Sequence, residues 1–162
     1  MIILGIDPGF IVSGFSILKK DGHAISLLNY GHLSMTSKQS IAERVEQFYN
    51  FYQEKISTYG VTHIAIETPF LGKNAAIFLK LGYLRGIVHL LANQNKLLIL
   101  EFAPRQIKQH ITGYGHATKT QLAHIVIKIF PKIKLPIKED TSDAIAISLC
   151  AAWQTRLHKL QK

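Results

Sequence analysis

Apolar positions along this chain follow two rhythms, and the changes between them mark out its elements. Short, nearly continuous apolar runs read as buried strands: residues 2–7, ended by Pro8-Gly9, and residues 62–67, ended before Pro69. Residues 12–18 and 25–33 read as two further strands, with Asp21-Gly22 as the turn between them. A fifth strand is expected at 97–102. Elsewhere the spacing becomes helical. Ile41, Val45, Phe48, Tyr52 and Ile56 recur at three- and four-residue intervals, predicting a helix over 40–57. Ser40 with Glu43 suits a capping box, with Ser37 as a rival start. Residues 72–94 read as helix, either one long or two short. Pro104 suits the first turn of a helix to about 111, and Gly113 and Gly115 mark a loop. Thr118 and Gln121 cap a helix with the apolar face Leu122, Ile125, Val126 and Ile129, and Pro131 follows its end. After a basic, Pro-containing linker, a last helix runs from Asp140 to about 158. Three strands followed by alternating helix and strand predict an α/β fold: one domain over 1–162, with a mixed five-stranded sheet and helices on both faces.

Composition narrows the class. The 162 residues are 48% apolar and 18% charged, enough to build a core without disulfides or a structural metal. The single cysteine, Cys150, lies in an apolar helical stretch, which suits a buried thiol and a reducing compartment. No run approaches about 18 consecutive apolar residues, so no membrane span is expected. The first apolar run has no basic segment before it and ends at Asp7, as a strand does and a signal peptide does not. A cytoplasmic location, or another reducing space that holds DNA, is therefore expected. The net charge is +9, unevenly distributed. Residues 1–81 carry seven Lys/Arg against six Asp/Glu, and residues 82–162 carry twelve against four. That asymmetry points to a polyanion.

Four carboxylates stand where carboxylates need a reason. Asp7 and Glu67 each end an apolar strand, and Asp140 and Asp143 open the last helix. Desolvating such groups is costly without a cation or hydrogen bonds, and four together would repel. A hard divalent cation bound through oxygen is the usual remedy. Taken alone, Asp140 and Asp143 are also ordinary first-turn residues favoured by the helix dipole, and Asp7 in Asp-Pro-Gly is also a turn former. The set of four carries the reading: a two-metal phosphodiesterase with Mg²⁺, two ions about 3.5–4 Å apart clamping the attacking and leaving oxygens. The eight histidines are scattered, and no Cys/His cluster suggests a softer metal.

Cations form a second layer. Arg105 and Lys108 share a face of the Pro104 helix. Lys119 falls in the first turn of the next helix, where backbone N–H groups also attract phosphate. Phe70 and Lys73 follow Glu67 closely, so an aromatic wedge into DNA competes with a core ring there.

These stretches together resemble the RuvC family of Holliday-junction resolvases, which have the ribonuclease H-like fold. The matching segments are Ile3 to Gly9 with Gly14, Ala65-Ile66-Glu67, Lys73-Asn74-Ala75 and Lys80-Leu81-Gly82. They continue through Arg85-Gly86, Ala103 to Gln109, Gly113 to Gln121 and Asp140 to Ala146. The resemblance implies a metal-binding, catalytic tetrad of Asp7, Glu67, Asp140 and Asp143. It also implies catalytic, DNA-contacting Lys108 and Lys119, a junction-opening aromatic at Phe70, and two Mg²⁺ per subunit, for which Mn²⁺ is expected to substitute. The implied activity is paired symmetric nicking of four-way junction DNA in recombination and repair. It is carried out by a homodimer that joins through the helix after residue 74 and has a branch-migration motor complex as a possible partner. Lys73, Lys80, Arg85 and Arg105 are further DNA-contact candidates. Other readings are a ribonuclease H-like nuclease of broader branched-DNA or RNA:DNA specificity and a non-catalytic junction-binding protein. An actin-like ATPase would need two lobes, more than this length supplies.

Overall fold

A computed structural model describes residues 1–69 and 75–160, with side chains to residue 154; Phe70 and Lys73 therefore lie outside the described residues. The order is β1 (Ile2–Asp7), β2 (Val12–Asp21), β3 (Ala24–Ser34), α1 (Ile41–Tyr59), β4 (His63–Glu67), α2 (Ala75–Gln94), β5 (Leu98–Phe102), α3 (Pro104–Thr112), α4 (Lys119–Ile129) and α5 (Glu139–Leu160). The five strands form one sheet ordered β3-β2-β1-β4-β5. β1–β2 and β2–β3 pair antiparallel, whereas β1–β4 and β4–β5 pair parallel. The expected mixed five-stranded sheet is thus present.

Both sheet faces are covered, which is why β1 and β4 read as unbroken apolar runs. Alternate residues go to opposite sides. Ile3, Leu18, Ala65 and Phe102 pack with α3, α4 and α5. Leu4, Ile6, Ile17, Ile64 and Ile66 pack with α1 and α2. Helix α5 lies against the sheet centre, and its Ala144 to Ala152 stretch is buried throughout. Cys150 is buried within it, and desolvation pushes its thiol pKa up to about 12.

Local signals set the helix ends. Ser40 and Glu43 form the expected capping box of α1, which closes on Gly60 in the left-handed conformation. Thr118 and Gln121 do the same at the start of α4. The 72–94 segment is a single helix over its described part, starting at Ala75. By length and composition α2 alone among the described helices would cross a membrane. However, Lys80, Arg85 and His89 interrupt it, and Leu84, Val88, Leu91 and Ala92 face the core.

Candidate active site

Strand pairing brings the first two carboxylates together. β1 and β4 run parallel with Ile6 opposite Ile66, so Asp7 and Glu67, their last residues, emerge side by side at the same end of the sheet. The other two arrive on the first turn of α5. Asp7 lies opposite Gly14 in the β1–β2 pairing, and Gly14 receives that turn. A Cβ built there would stand 1.8 Å from the Asp140 carbonyl oxygen. Gly5 makes a matching notch, with the Ala144 carbonyl oxygen 2.3 Å from a Cβ at that position. No side chain fits at either site, so α5 reaches the strand backbone directly. Hydroxyls fix it there: Ser16 Oγ donates to the Ala144 carbonyl at 2.8 Å, and Thr141 Oγ1 to the Gly31 carbonyl at 3.0 Å.

On the opposite face, Ser13 Oγ donates to the Asp7 carbonyl at 3.0 Å and lies 2.8 Å from the hydroxyl of fully buried Tyr52. Buried Arg44 holds the loop after Asp7, donating to the Phe10 and Gln39 carbonyls with its guanidinium above the Phe10 ring. The sequence reading missed Ser13, Ser16, Arg44 and Tyr52 as supports, because contacts across dozens of residues leave no local spacing. Gly14 was visible as a motif member, but its packing role was not.

Asp7, Glu67 and Asp143 line one cavity of about 250 Å³, together with Lys108, Lys119, Ile107 and Leu122. Asp140 lines the neighbouring groove beside Phe10, Arg44 and Lys80, yet its charge still bears on Asp7 and Asp143. A larger groove of about 440 Å³ opens from Asp7 and Glu67 toward α2, past Phe78, Gly82, Arg85 and His89. Among the described residues, no three His, Cys, Asp or Glu side chains already form a group that could hold an ion. Three of the four expected carboxylates therefore share a cavity, with the fourth at its flank.

The electrostatics record the cost of this gathering. Burial, then Asp143, Asp140 and Glu67, push the Asp7 pKa up to about 7 against the pull of Lys119. Burial and Asp143 raise Glu67 despite Lys108 and Lys119. Asp143 is also raised, chiefly by burial, with Lys119 opposing. Lys119 is the local counter-charge, its Nζ 3.4 Å from Asp143 and 3.3 Å from Glu139. Desolvation works to lower its pKa, but the two carboxylates prevail and raise it. Glu139 had no place in the sequence reading. An all-carboxylate, partly desolvated donor set of this kind fits a hard cation such as Mg²⁺.

Of the other predicted cations, Lys80 is exposed on α2, and Arg105 packs its stem under Gly115. Arg85 turns inward, donating to the Glu67 carbonyl at 2.6 Å and pairing with Glu101 at 2.9 Å.

Comparison with known proteins gives a consistent picture. The family model for crossover junction endodeoxyribonuclease RuvC matches residues 3–151. The crossover junction endodeoxyribonuclease RuvC of Pelodictyon phaeoclathratiforme is 37% identical over 150 residues, covering 93% of this chain and 78% of that protein. That of Natranaerobius thermophilus is 36% identical over 157 residues, covering 97% and 98%. Thermus thermophilus RuvC in complex with Holliday junction substrate superposes with a TM-score of 0.90 at 26% identity, covering 98% of this chain and 96% of that one.

Proposed function

This chain belongs to the RuvC family of crossover junction endodeoxyribonucleases, and on that premise we propose that it resolves Holliday junctions by metal-dependent phosphodiester hydrolysis. The observation that carries the reading is the single cavity in which Asp7, Glu67 and Asp143 meet Lys108 and Lys119. The superposition on a relative in complex with Holliday junction substrate supports a junction as the DNA bound.

In this reading, Asp7, Glu67, Asp143 and the flanking Asp140 hold two Mg²⁺ ions. When bound, such ions stabilise both the attacking and leaving oxygens of an in-line phosphoryl displacement. Lys119 and Lys108 contribute preorganised positive charge for the scissile phosphate. Lys119 exchanges its carboxylate partners for that phosphate. Arg105 and Lys80 contact the DNA backbone nearby, and Phe70 and Lys73 are further DNA-contact residues by family resemblance alone. The basic half of the chain supplies the wider attraction, and affinity falls steeply with salt through counterion release.

A homodimer completes the proposal. Leu79, Tyr83 and Leu90 are 59%, 43% and 43% exposed. At helical spacing they lie on the side of α2 opposite its core residues Leu84, Val88 and Leu91. Gly82 and Gly86 adjoin this stripe with open space at their Cβ positions. Such an apolar surface suits a second copy, and a two-fold pair suits two related cuts in a four-way junction.

The test is cleavage of a labelled immobile four-way junction and a matched duplex, in Mg²⁺ or EDTA, by wild type and Asp7→Asn. Paired nicks in the junction alone, lost with EDTA and in the variant, are expected. Binding without cleavage would instead mark a junction-binding protein, and equal cutting of the duplex a general nuclease.

A further inference from the structure

Arg85 spends both ends of its guanidinium on the protein. Nη1 donates to the backbone carbonyl of Glu67 at 2.6 Å, and Nη2 donates to Glu101 Oε2 at 2.9 Å. The other carboxylate oxygen, Oε1, lies 3.7 Å from His89 Nε2. The Arg85 side chain is only 13% exposed. Glu101 sits on β5 opposite Ile66, one residue before Glu67 on the neighbouring strand. One side chain of α2 therefore holds the last peptide of β4 and an anchor on β5 together.

The geometry follows from the chemistry of the group. A planar guanidinium offers donors in a fixed fork, so two acceptors on different strands determine its place. The carbonyl it grips belongs to Glu67, whose carboxylate enters the cavity shared with Asp7 and Asp143. Glu67 is the last residue of its strand; a single further bond to β5 follows it, from the Thr68 N–H to the Phe102 carbonyl at 2.8 Å, and the carbonyl of Glu67 itself is held by Arg85. A contact to phosphate would be a poor use of this cation, because Glu101 already offsets its charge.

We propose that Arg85, braced by Glu101, is a positioning residue that aims the Glu67 carboxylate. This rests on reading the cavity as the nuclease centre. Glu101 is the discriminating partner, since an acidic residue contributes nothing to phosphate binding. If Arg85 serves DNA, removing the Glu101 charge frees it and helps binding. If Arg85 serves Glu67, removing either member does the same harm.

The experiment compares full-length wild type with Arg85→Gln, Arg85→Lys, Glu101→Gln and the Arg85→Gln/Glu101→Gln double variant. Three quantities are read: junction affinity in EDTA, the rise in melting temperature on titration with Mn²⁺, and the single-turnover cleavage rate against Mn²⁺ concentration. Supporting groups around metal ligands typically contribute about 10- to 100-fold to metal affinity or activity. Each Gln variant is therefore expected to need about tenfold more Mn²⁺ for the same melting shift and half-maximal cleavage, with EDTA junction affinity unchanged. The double variant should be no worse than either single one, and Arg85→Lys should recover part of the loss. Weaker junction binding in EDTA by Arg85→Gln, with Glu101→Gln normal throughout, would overturn the proposal in favour of a DNA contact. Wild-type Mn²⁺ dependence in both Gln variants would overturn it in favour of a purely structural pair. Should wild type itself fail to cut junctions, the nuclease reading fails, while the Mn²⁺ melting shifts still decide the role of Arg85.

Discussion

At the scale of single residues, Asp7 should govern how the metal-free protein responds to pH. Its folded pKa of about 7 stands above the ordinary value of 3.8. Between these two values the folded state keeps a proton that the unfolded chain has released. Stability from this group is therefore fully present below about pH 4, declines as pH rises toward 7 and levels off above that. The difference between these two values corresponds to at most about 4 kcal/mol. Glu67 and Asp143, also raised, act in the same direction. Melting curves in EDTA should accordingly fall in midpoint from pH 4 to pH 7.5. Asp7→Asn should flatten that fall and melt higher than wild type at pH 7.5 while losing cleavage. Added Mg²⁺ should raise the wild-type midpoint at pH 7.5 far more than at pH 4.5. A flat wild-type profile, or equal Mg²⁺ effects at both pH values, would remove Asp7 from a shared acidic site. Asp7 and Glu67 were legible in the sequence because an acid ending an apolar run is a local mark, whereas Asp140 and Asp143 stood out only as part of the set of four. The ion pairs around them were not legible, since Lys119–Asp143 and Arg85–Glu101 join segments with no common spacing.

Among the elements, α4 and α5 bring chemistry to the sheet, and their anchoring should be separable from general stability. Thr118 caps α4 immediately before Lys119. Thr118→Ala should cost about 1 kcal/mol and also slow cleavage by loosening the turn that bears Lys119. Ser40→Ala removes the equivalent box from α1; it should cost a similar amount in a denaturant melt and leave cleavage intact. Equal cleavage by the two variants would show that the first turn of α4 does not matter to the site. Gly14→Ala is the sharper test for α5, because its Cβ would collide with backbone rather than a movable side chain. It should destabilise by about 1–3 kcal/mol, as overpacking does, and cut activity by more than the stability loss explains. Both capping boxes could be read from the sequence, since each closes over three residues. The seating of α5 could not, because it depends on where Gly5 and Gly14 fall once β1 and β2 have paired.

Across the whole molecule, the exposed apolar stripe of α2 makes the strongest demand. Its sequence is apolar around most of its circumference, so periodicity predicts a helix without saying which side is buried. The fold separates the sides. Leu84, Val88, Leu91 and Ala92 enter the core, and Leu79, Tyr83 and Leu90 remain outside. Exposed apolar rings and branched chains on one stripe favour a partner over water, and glycines beside them permit close approach. A charge placed there would be buried on association and would oppose it. Leu79→Glu/Tyr83→Glu should therefore give a monomer by sedimentation, with the melting transition of the single domain preserved. Because one chain carries one cavity, the monomer should bind a junction less tightly and nick it singly, so that gels show unpaired cuts instead of coordinated ones. A variant that stays dimeric would move the interface away from α2. A monomer that still makes paired cuts at the wild-type rate would break the link between two-fold assembly and resolution.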